Sequence, residues 1–583
     1  MSTVLETMRV LRTVRFLRAS QWYWRLRYMA QRRWEAFFAG GVARRTRRAM
    51  PERCEPSGAE FFGIPTHRGN ALAGPARAAE LVEGKLTLLA TTRGFRAGPD
   101  WRMTGDRGHD RLWTYNLHYH EWLLDLAGGP EHELLRRVLV DWLDTCKLGA
   151  PGFTHFPWNS YTIATRIEWW IRLYEMLPAS FWSATAGLRA RFLDSLAAQA
   201  AYLDAHLEWD LRGNHLLRDA RGLAWAARFF SGAKADRWAA TAADLVRRQS
   251  VEQLLGDDGH FERSPMYHVH VMDDLSALVL LLTEQDAVDA ARRAWARMAR
   301  FLRWVRHPDG EIPLLNDAAL GAAPGPGEML SRHAALGLAL DTSFPRGGAH
   351  FPESGLVVWH GDVWSLFFDV GVVGPDEQPG HGHADTLTVE CSFRGRRLFV
   401  DPGTFGYDRG ERRRYDRSTA AHNTVCIDGE SSSEVWHIFR VGRRARPRVE
   451  EVSVSGTHVE TAASHDGYER LPGSPRHRRR VSLTDRARLE IVDAVAGAGR
   501  HRLAGGFLVD PAWRAEPVPG GWNLTSGADR VAVRVSGPPG LRLLSERRPY
   551  HAAFGTEVET HRLSWHLAAS VPVEVRVAIE PGR

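Results

Sequence analysis

Residues 381–403 read HGHADTLTVECSFRGRRLFVDPG, and this stretch decides how the second half of the chain is built. Leu387, Val389, Cys391 and Phe393 alternate with polar residues, Arg394-Gly395 makes a turn, and the apolar run 398–400 leads into Asp401-Pro402-Gly403. Period-two alternation on either side of a glycine-containing turn predicts a β-hairpin. The hairpin sets His381 and His383 in a loop at the same sheet end as Asp401. A plain two-residue turn places Asp401 opposite Thr388, so the segment before Thr388 must fold back over the sheet end to bring a histidine near it. About twenty residues on, His422-Asn423-Thr424 opens a further β-like run, 425–427. Imidazoles and a carboxylate converging from a rigid sheet make a metal site, and zinc most often accepts that donor mixture. The competing reading is of histidines satisfied at the surface or in the core.

The character of that stretch continues downstream. Runs 356–359, 364–369, 425–427, 449–454, 481–483, 489–492, 503–508, 531–535 and 573–579 are short and β-like, with Gly, Asp and Ser between them, as in an antiparallel sandwich. Upstream, from Trp113 to about Pro345, the period is helical. Helices are predicted over 131–146, 164–177, 187–207, 216–230, 235–255, 269–283 and 290–306, joined by short turns that make neighbours antiparallel. Consecutive helical hairpins without a sequence repeat imply either a toroid of paired helices or an irregular solenoid. The expected organisation is a basic helical arm and connecting region over 1–112, a helical domain over 113–348 and a β domain over 349–583. The cleft between the last two is the natural ligand site.

At 583 residues, with 44% hydrophobic and 25% charged residues, the composition is that of a soluble globular protein of several domains. The net charge of +7 is carried almost wholly by arginine, which suits bidentate recognition of carboxylate or sulfate. The chain has no nucleic-acid recognition motif, so that class is set aside. The 22 tryptophans serve mainly as packing between helices, although Trp or Tyr in a cleft stacks well on sugar rings. Four cysteines without CxxC spacing read as reduced thiols, with Cys391 and Cys426 near one another in the sheet region.

The first twenty residues contain arginines but no uninterrupted apolar core of a signal peptide, and no later run reaches membrane-spanning length. Read literally, the chain is cytoplasmic or lacks its export signal. A basic, aromatic helix follows Ser20 and is expected to stop at Gly40-Gly41. It is either an arm strapped to the main domain or a surface for peripheral membrane contact. The oligomeric state leaves no trace in the sequence.

Two polar clusters stand out in the helical half. Arg212-Gly213-Asn214-His215 precedes the helix over 216–230, where a positive N-terminus favours anions; the plainer reading of Asn214 is an N-cap. The segment DDGHFERSPMYHVHVMDDL, 257–275, carries Tyr267, His268 and His270 into another helix. These segments, with HGHAD from His381, Asp401-Pro402-Gly403-Thr404, Ala421-His422-Asn423-Thr424, the run WHIFRVGRRA from Trp436, YNLHYHEWL from Tyr115 and FPWNSY from Phe156, resemble the heparinase II/III-like polysaccharide lyases, relatives of heparan and oligoalginate lyases. The resemblance covers about residues 113–446.

The resemblance implies an incomplete α/α toroid followed by an antiparallel β-sandwich, a bacterial cell-envelope or periplasmic setting, and eliminative cleavage of an acidic, uronate-containing polysaccharide. It implies Asn214, His215, Tyr267 and His381 as catalytic residues and Trp158, Tyr161, Arg166 and Arg440 as substrate-binding residues. His383, Asp401 and His422 match the family's metal ligands, with Zn2+ holding the loops that present His381. The absence of a visible export signal leaves room for a role in making or trimming an extracellular polysaccharide from inside the cell. Two rival readings remain: a toroid glycoside hydrolase using Asp257, Asp258 and Glu262, and a non-catalytic glycan-binding or assembly protein.

Overall fold

The computed structural model describes residues 2–582 except 62, 70–73, 96–97, 103–110, 457 and 484–487. The helical half is a two-layer arrangement. Ser160–Met176, Asn214–Phe229 and Pro265–Leu281 pack side by side as an inner layer, each in contact with its neighbour. Leu188–Ala205, Ala233–Glu252 and Gln285–Trp304 alternate with them in sequence and cover them from outside. The sequences differ accordingly. Gln285–Trp304 buries a single stripe that includes Val288, Ala291, Trp295, Met298 and Leu302, as an outer amphipathic helix must, whereas Pro265–Leu281 is buried almost all round. Trp113, Trp122, Trp142, Trp170, Trp225 and Trp295 are fully buried between these helices, so tryptophan here is chiefly packing material.

The seven predicted helices form, within a few residues of their expected ends. Shorter helices escaped notice, among them Ser2–Val14, Pro75–Val82, Arg111–Tyr119 and Glu411–Asp416. The arm departs from expectation: Ala19–Phe37 ends before the glycines, and Gly40-Gly41 lie inside a further helix, Ala39–Ala49. The connecting region holds a helix and the hairpin of Lys85–Leu88 with Thr91–Gly94. Among the described residues, no helix is long and apolar enough to cross a membrane.

Among the described residues, the second half is an antiparallel β-sandwich of three main sheets, with a two-stranded pair, Val435–Trp436 and Arg440–Val441, beside them. Gly347–Phe351, Leu356–His360, Trp364–Asp369, Val389–Phe393 and Arg396–Phe399 form a five-stranded meander. An eight-stranded sheet runs from Pro447–Val454 to Arg514–Val518, with the last strand of the chain, Val573–Pro581, in its interior. A four-stranded sheet pairs Arg500–Leu508 with Val558–Ser570 and Val425–Ile427. The three share one apolar core that includes Phe368, Phe393, Phe507, Trp522 and Trp565. The predicted hairpin is present, with Phe393 opposite Arg396 and both turn residues at positive φ. A bulge between Cys391 and Ser392 shifts the register, so Asp401 projects level with Val389 rather than Thr388. The chain before Thr388 does fold back over the sheet end, turning at Leu387 (φ 68°). All four cysteines are free thiols.

Close packing of the inner layer depends on Gly222. A methyl group there would sit 2.6 Å from the Ala164 Cα on the adjacent inner helix. Gly222→Ala is therefore expected to cost about 1–3 kcal/mol, read as a lower midpoint in chemical unfolding.

Candidate active site at the toroid–sandwich cleft

Three inner helices begin at the same place. Tyr161 is the second residue of Ser160–Met176, Asn214 and His215 open Asn214–Phe229, and Tyr267 is the third residue of Pro265–Leu281. All four line a cleft of about 730 Å³ whose opposite wall comes from the sandwich, through His381, Tyr407, Phe439 and Arg440. Helix N-termini carry partial positive charge and unpaired N–H groups, so three of them converging on one cleft favour an anionic occupant.

Asn214 is not an N-cap. Gly213 holds that position, at φ 57°, and a side chain there would collide with the Glu262 carboxylate. The Asn214 backbone N–H donates to Glu262 Oε1 (3.0 Å), while its side-chain Oδ1 is buried without a partner among the described residues. His215 uses Nδ1 to meet Glu208 Oε2 at 3.0 Å and packs against Tyr161. Burial alone would lower its pKa, but the Glu208 carboxylate outweighs it and raises the pKa above the usual imidazole value.

Tyr267 lies in van der Waals stacking with His381, ring centres 3.8 Å apart, and its hydroxyl meets that of Tyr407 at 2.9 Å. Burial, reinforced by Tyr407 and Asp317, pushes the Tyr267 phenol well above its ordinary pKa. The phenol is thus protonated at rest. His381 bridges two carboxylates, with Nδ1 3.0 Å from Asp317 Oδ2 and Nε2 3.3 Å from Glu262 Oε2. Of the other histidines on the Tyr267 helix, His270 faces the cleft, while His268 turns away to the Met298 carbonyl (3.0 Å).

Asp317 was missed in the sequence and is the junction of the site. Its fully buried carboxylate accepts from Arg413 Nη2 (2.9 Å) and Arg413 Nη1, and meets both His381 and His383. Although burial opposes ionisation, Arg413 and the two histidines hold its pKa well below the carboxylate range. Its backbone carbonyl accepts from Ser264 Oγ (2.6 Å), the hydroxyl that caps the Tyr267 helix. Asn316 beside it, at φ 58°, accepts the His383 N–H. The available signal was a polar Asn-Asp pair inside the otherwise apolar run 312–320.

Just behind His381, donor atoms of His383, Asp401 and His422 lie within 4.8 Å of one another, all fully buried. His383 gives Nε2 to Asp317 (2.9 Å) and His422 gives Nδ1 to Asp401 (2.7 Å). The remaining nitrogens, His383 Nδ1 and His422 Nε2, have no partner among the described residues. Burial lowers the two imidazoles to pKa values of about 3 and about 4, so both are neutral, the form that ligates metal.

Two expected substrate-binding residues lie elsewhere. Trp158 is buried in the helical core with its indole N–H on the Cys146 carbonyl (2.8 Å). Arg166 is fully buried and ties Gln199, His118 and Pro157 together, a packing brace between segments. Tyr161 and Arg440 do line the cleft. The carboxylates of the hydrolase reading are not paired across it either. Asp257 caps the loop at Glu353 and Ser354, Asp258 pairs with Arg297 and Arg300, and Glu262 stands behind Asn214 and His381.

A helical toroid faces an antiparallel sandwich, with Asn, Tyr and His side chains between them, and comparison with known proteins identifies the family that this arrangement belongs to. Residues 95–325 match the family description "Heparinase II/III N-terminus" and residues 344–577 match "Heparinase II/III-like, C-terminal". The chain belongs to the heparinase II/III-like family. It is 23% identical over 460 residues to a heparin-sulfate lyase of Bacteroides stercoris, covering 69% of this chain and 65% of that protein. With a heparin-sulfate lyase of Pedobacter heparinus the identity is 24% over 384 residues, 58% of this chain and 55% of the relative. The match thus spans under two thirds of either relative's length. The crystal structure of a heparinase III superposes with a TM-score of 0.71 at 16% identity, covering 93% of this chain and 89% of the other, and it shares the fold.

Replacing Asp317 by Asn leaves the buried Arg413 guanidinium uncompensated. A loss of about 3–5 kcal/mol of stability is expected, seen as a markedly lower thermal midpoint; Asp257→Asn, at a loop cap, should cost far less.

Proposed function

We propose that the protein is a polysaccharide lyase that cleaves a uronate-containing acidic polysaccharide by β-elimination. The observation that carries this reading is the meeting of the Asn214 side chain, the Tyr267 phenol and the His381 imidazole in one cleft at three helix N-termini. Removing the C5 hydrogen of a uronate adds negative charge beside a carboxylate, so the carboxylate must first be neutralised by preorganised donors. Asn214 fills that role, aided by His215, whose raised pKa favours the cationic form.

Tyr267 and His381 are stacked, so they serve one face of the sugar ring, which corresponds to syn elimination. The imidazole of His381, oriented through Nδ1 by Asp317, takes the C5 proton at Nε2, the nitrogen that faces Glu262 Oε2 (3.3 Å) until substrate enters. The C5–H electron pair forms the C4–C5 double bond, the C4–O bond breaks, and Tyr267 gives its proton to the departing oxygen. Transfer of the proton from His381 to Tyr267 then restores both groups. Tyr161 and Arg440 flank the sugar. The family's sulfated-glycan lyases make heparan-type chains the first substrates to try.

His383, Asp401 and His422 fit a zinc ion through their unpartnered buried nitrogens and one carboxylate. Such an ion would neutralise this buried acidic loop region and fix the segment that presents His381. Purified protein is expected to contain about one zinc per chain by elemental analysis, and His383→Ala to lose metal and thermal stability together.

Incubation with heparan sulfate, alginate and hyaluronan should give near-ultraviolet absorbance from an unsaturated uronate with at least one of them. Asn214→Ala and Tyr267→Phe should each abolish the signal with the fold intact; a signal surviving both changes refutes the reading. The His215 contribution has a defined sign. Because its pKa is raised, the cation is present at low pH and is lost as pH rises through the raised value. In Glu208→Gln the main raising influence is gone, so the alkaline limb of the pH–rate profile should move to lower pH.

A further inference from the structure

We propose that the N-terminal arm is a docking face for an anionic lipid surface. Ten of the nineteen large apolar side chains that stand exposed among the described residues lie between residues 8 and 38, and six of them share one face of the helix Ala19–Phe37, a concentration beyond the scatter normal for a protein surface. Helix Ala19–Phe37 buries only Gln21, Tyr28 and Glu35, one narrow line spaced at seven residues. Trp22, Tyr23, Leu26, Met29, Trp34 and Phe37 all point outward, with Phe37 84% exposed. At 100° per residue they span an arc of about 140°. Phe38 follows this stripe at the bend and is also exposed, as are Met8 and Leu11 on the first helix.

Charge selects the occupant. The first fifty residues hold twelve arginines, no lysine and two glutamates, a local excess larger than the +7 of the whole chain. Arg25, Arg27, Arg32 and Arg33 border or interrupt the apolar stripe, and Arg44, Arg45, Arg47 and Arg48 are exposed on Ala39–Ala49 beside it. Aromatic and aliphatic side chains ringed by arginine match the acyl boundary and headgroups of an anionic bilayer.

The arm is also held rigidly. Thr13 accepts from the Trp436 indole (3.0 Å), Arg9 and Arg12 pair with Glu434 (3.1 and 3.3 Å), Gln21 donates to the Glu377 carbonyl (3.2 Å), and Trp24 stacks on Trp209. The patch is therefore a preformed platform. Its inner side contributes Val10, Val14 and Leu17 to the cleft wall, so lipid docking would hold the cleft close to the membrane, where a glycan leaves or reaches the cell surface.

The test uses the full-length protein and co-sedimentation with vesicles of phosphatidylcholine alone or mixed with phosphatidylglycerol. Binding to the mixed vesicles should exceed binding to the neutral ones at least about tenfold and should weaken at high salt. Leu26→Glu with Met29→Glu and Phe37→Glu should abolish it, with an unchanged thermal midpoint. Because exposed apolar changes of this size carry some risk to the arm itself, Arg44→Glu with Arg48→Glu provides a second route and should remove the preference for anionic vesicles. Equal partition into both vesicle types, or none into either, overturns the proposal. So does a wild-type dimer that the triple variant dissolves while vesicles bind neither protein, since the face would then be a self-association surface.

Discussion

The carboxylate of Asp317 is the constraint on which the rest depends. It sits in the tail of the helical half, fully buried, and its ligands come from the sandwich: Arg413, His381 and His383. A buried carboxylate is tolerable only when paired and hydrogen-bonded, so these groups must stay where they are for the protein to fold. The same residue's carbonyl holds Ser264, which caps the helix carrying Tyr267. One residue therefore fixes the imidazole from one half against the phenol from the other. The 3.8 Å stacking of His381 on Tyr267 is a consequence of that anchoring.

Around this junction the chemistry is arranged by charge. The inner helices point their N-termini at the cleft, and Glu208 keeps His215 inclined to the cation, so negative charge on an occupant meets fixed positive potential. Glu262 has a supporting part, taking the Asn214 backbone N–H with one oxygen and facing His381 with the other. The left-handed Gly213 makes that approach possible. Behind the wall, Asp317 also links the His381 imidazole to His383, so the candidate metal centre and the stacked His381–Tyr267 pair share one buried network.

Much of this was legible in the sequence. Helical periodicity from residue 131 to 306 gave the paired helices, because amphipathic stripes and short turns are local properties, and the 381–403 stretch gave the hairpin. The bulge at Cys391 was not visible, since it reflects packing rather than pattern. Long strands with few apolar residues, such as Arg542–Tyr550, were missed because exposed edge residues carry no alternation. For the site, motif resemblance singled out Asn214, Tyr267 and His381, which the fold brings together. It also singled out Trp158 and Arg166, whose aromatic and cationic types suit a sugar site equally well but which burial assigns to packing. Asp317 and Tyr407 act through partners more than sixty residues away, a relation that spacing along the chain does not encode.

The central claim, that amide, phenol and imidazole from separately folded halves surround one hexuronate ring, is tested most directly by a crystal structure of the Tyr267→Phe protein with an intact acidic oligosaccharide. The account predicts a uronate carboxylate within about 3 Å of the Asn214 side-chain amide, its C5 hydrogen facing the His381–residue 267 stack. A sugar bound outside the cleft, or bound in it with the carboxylate turned away from Asn214, would contradict the account.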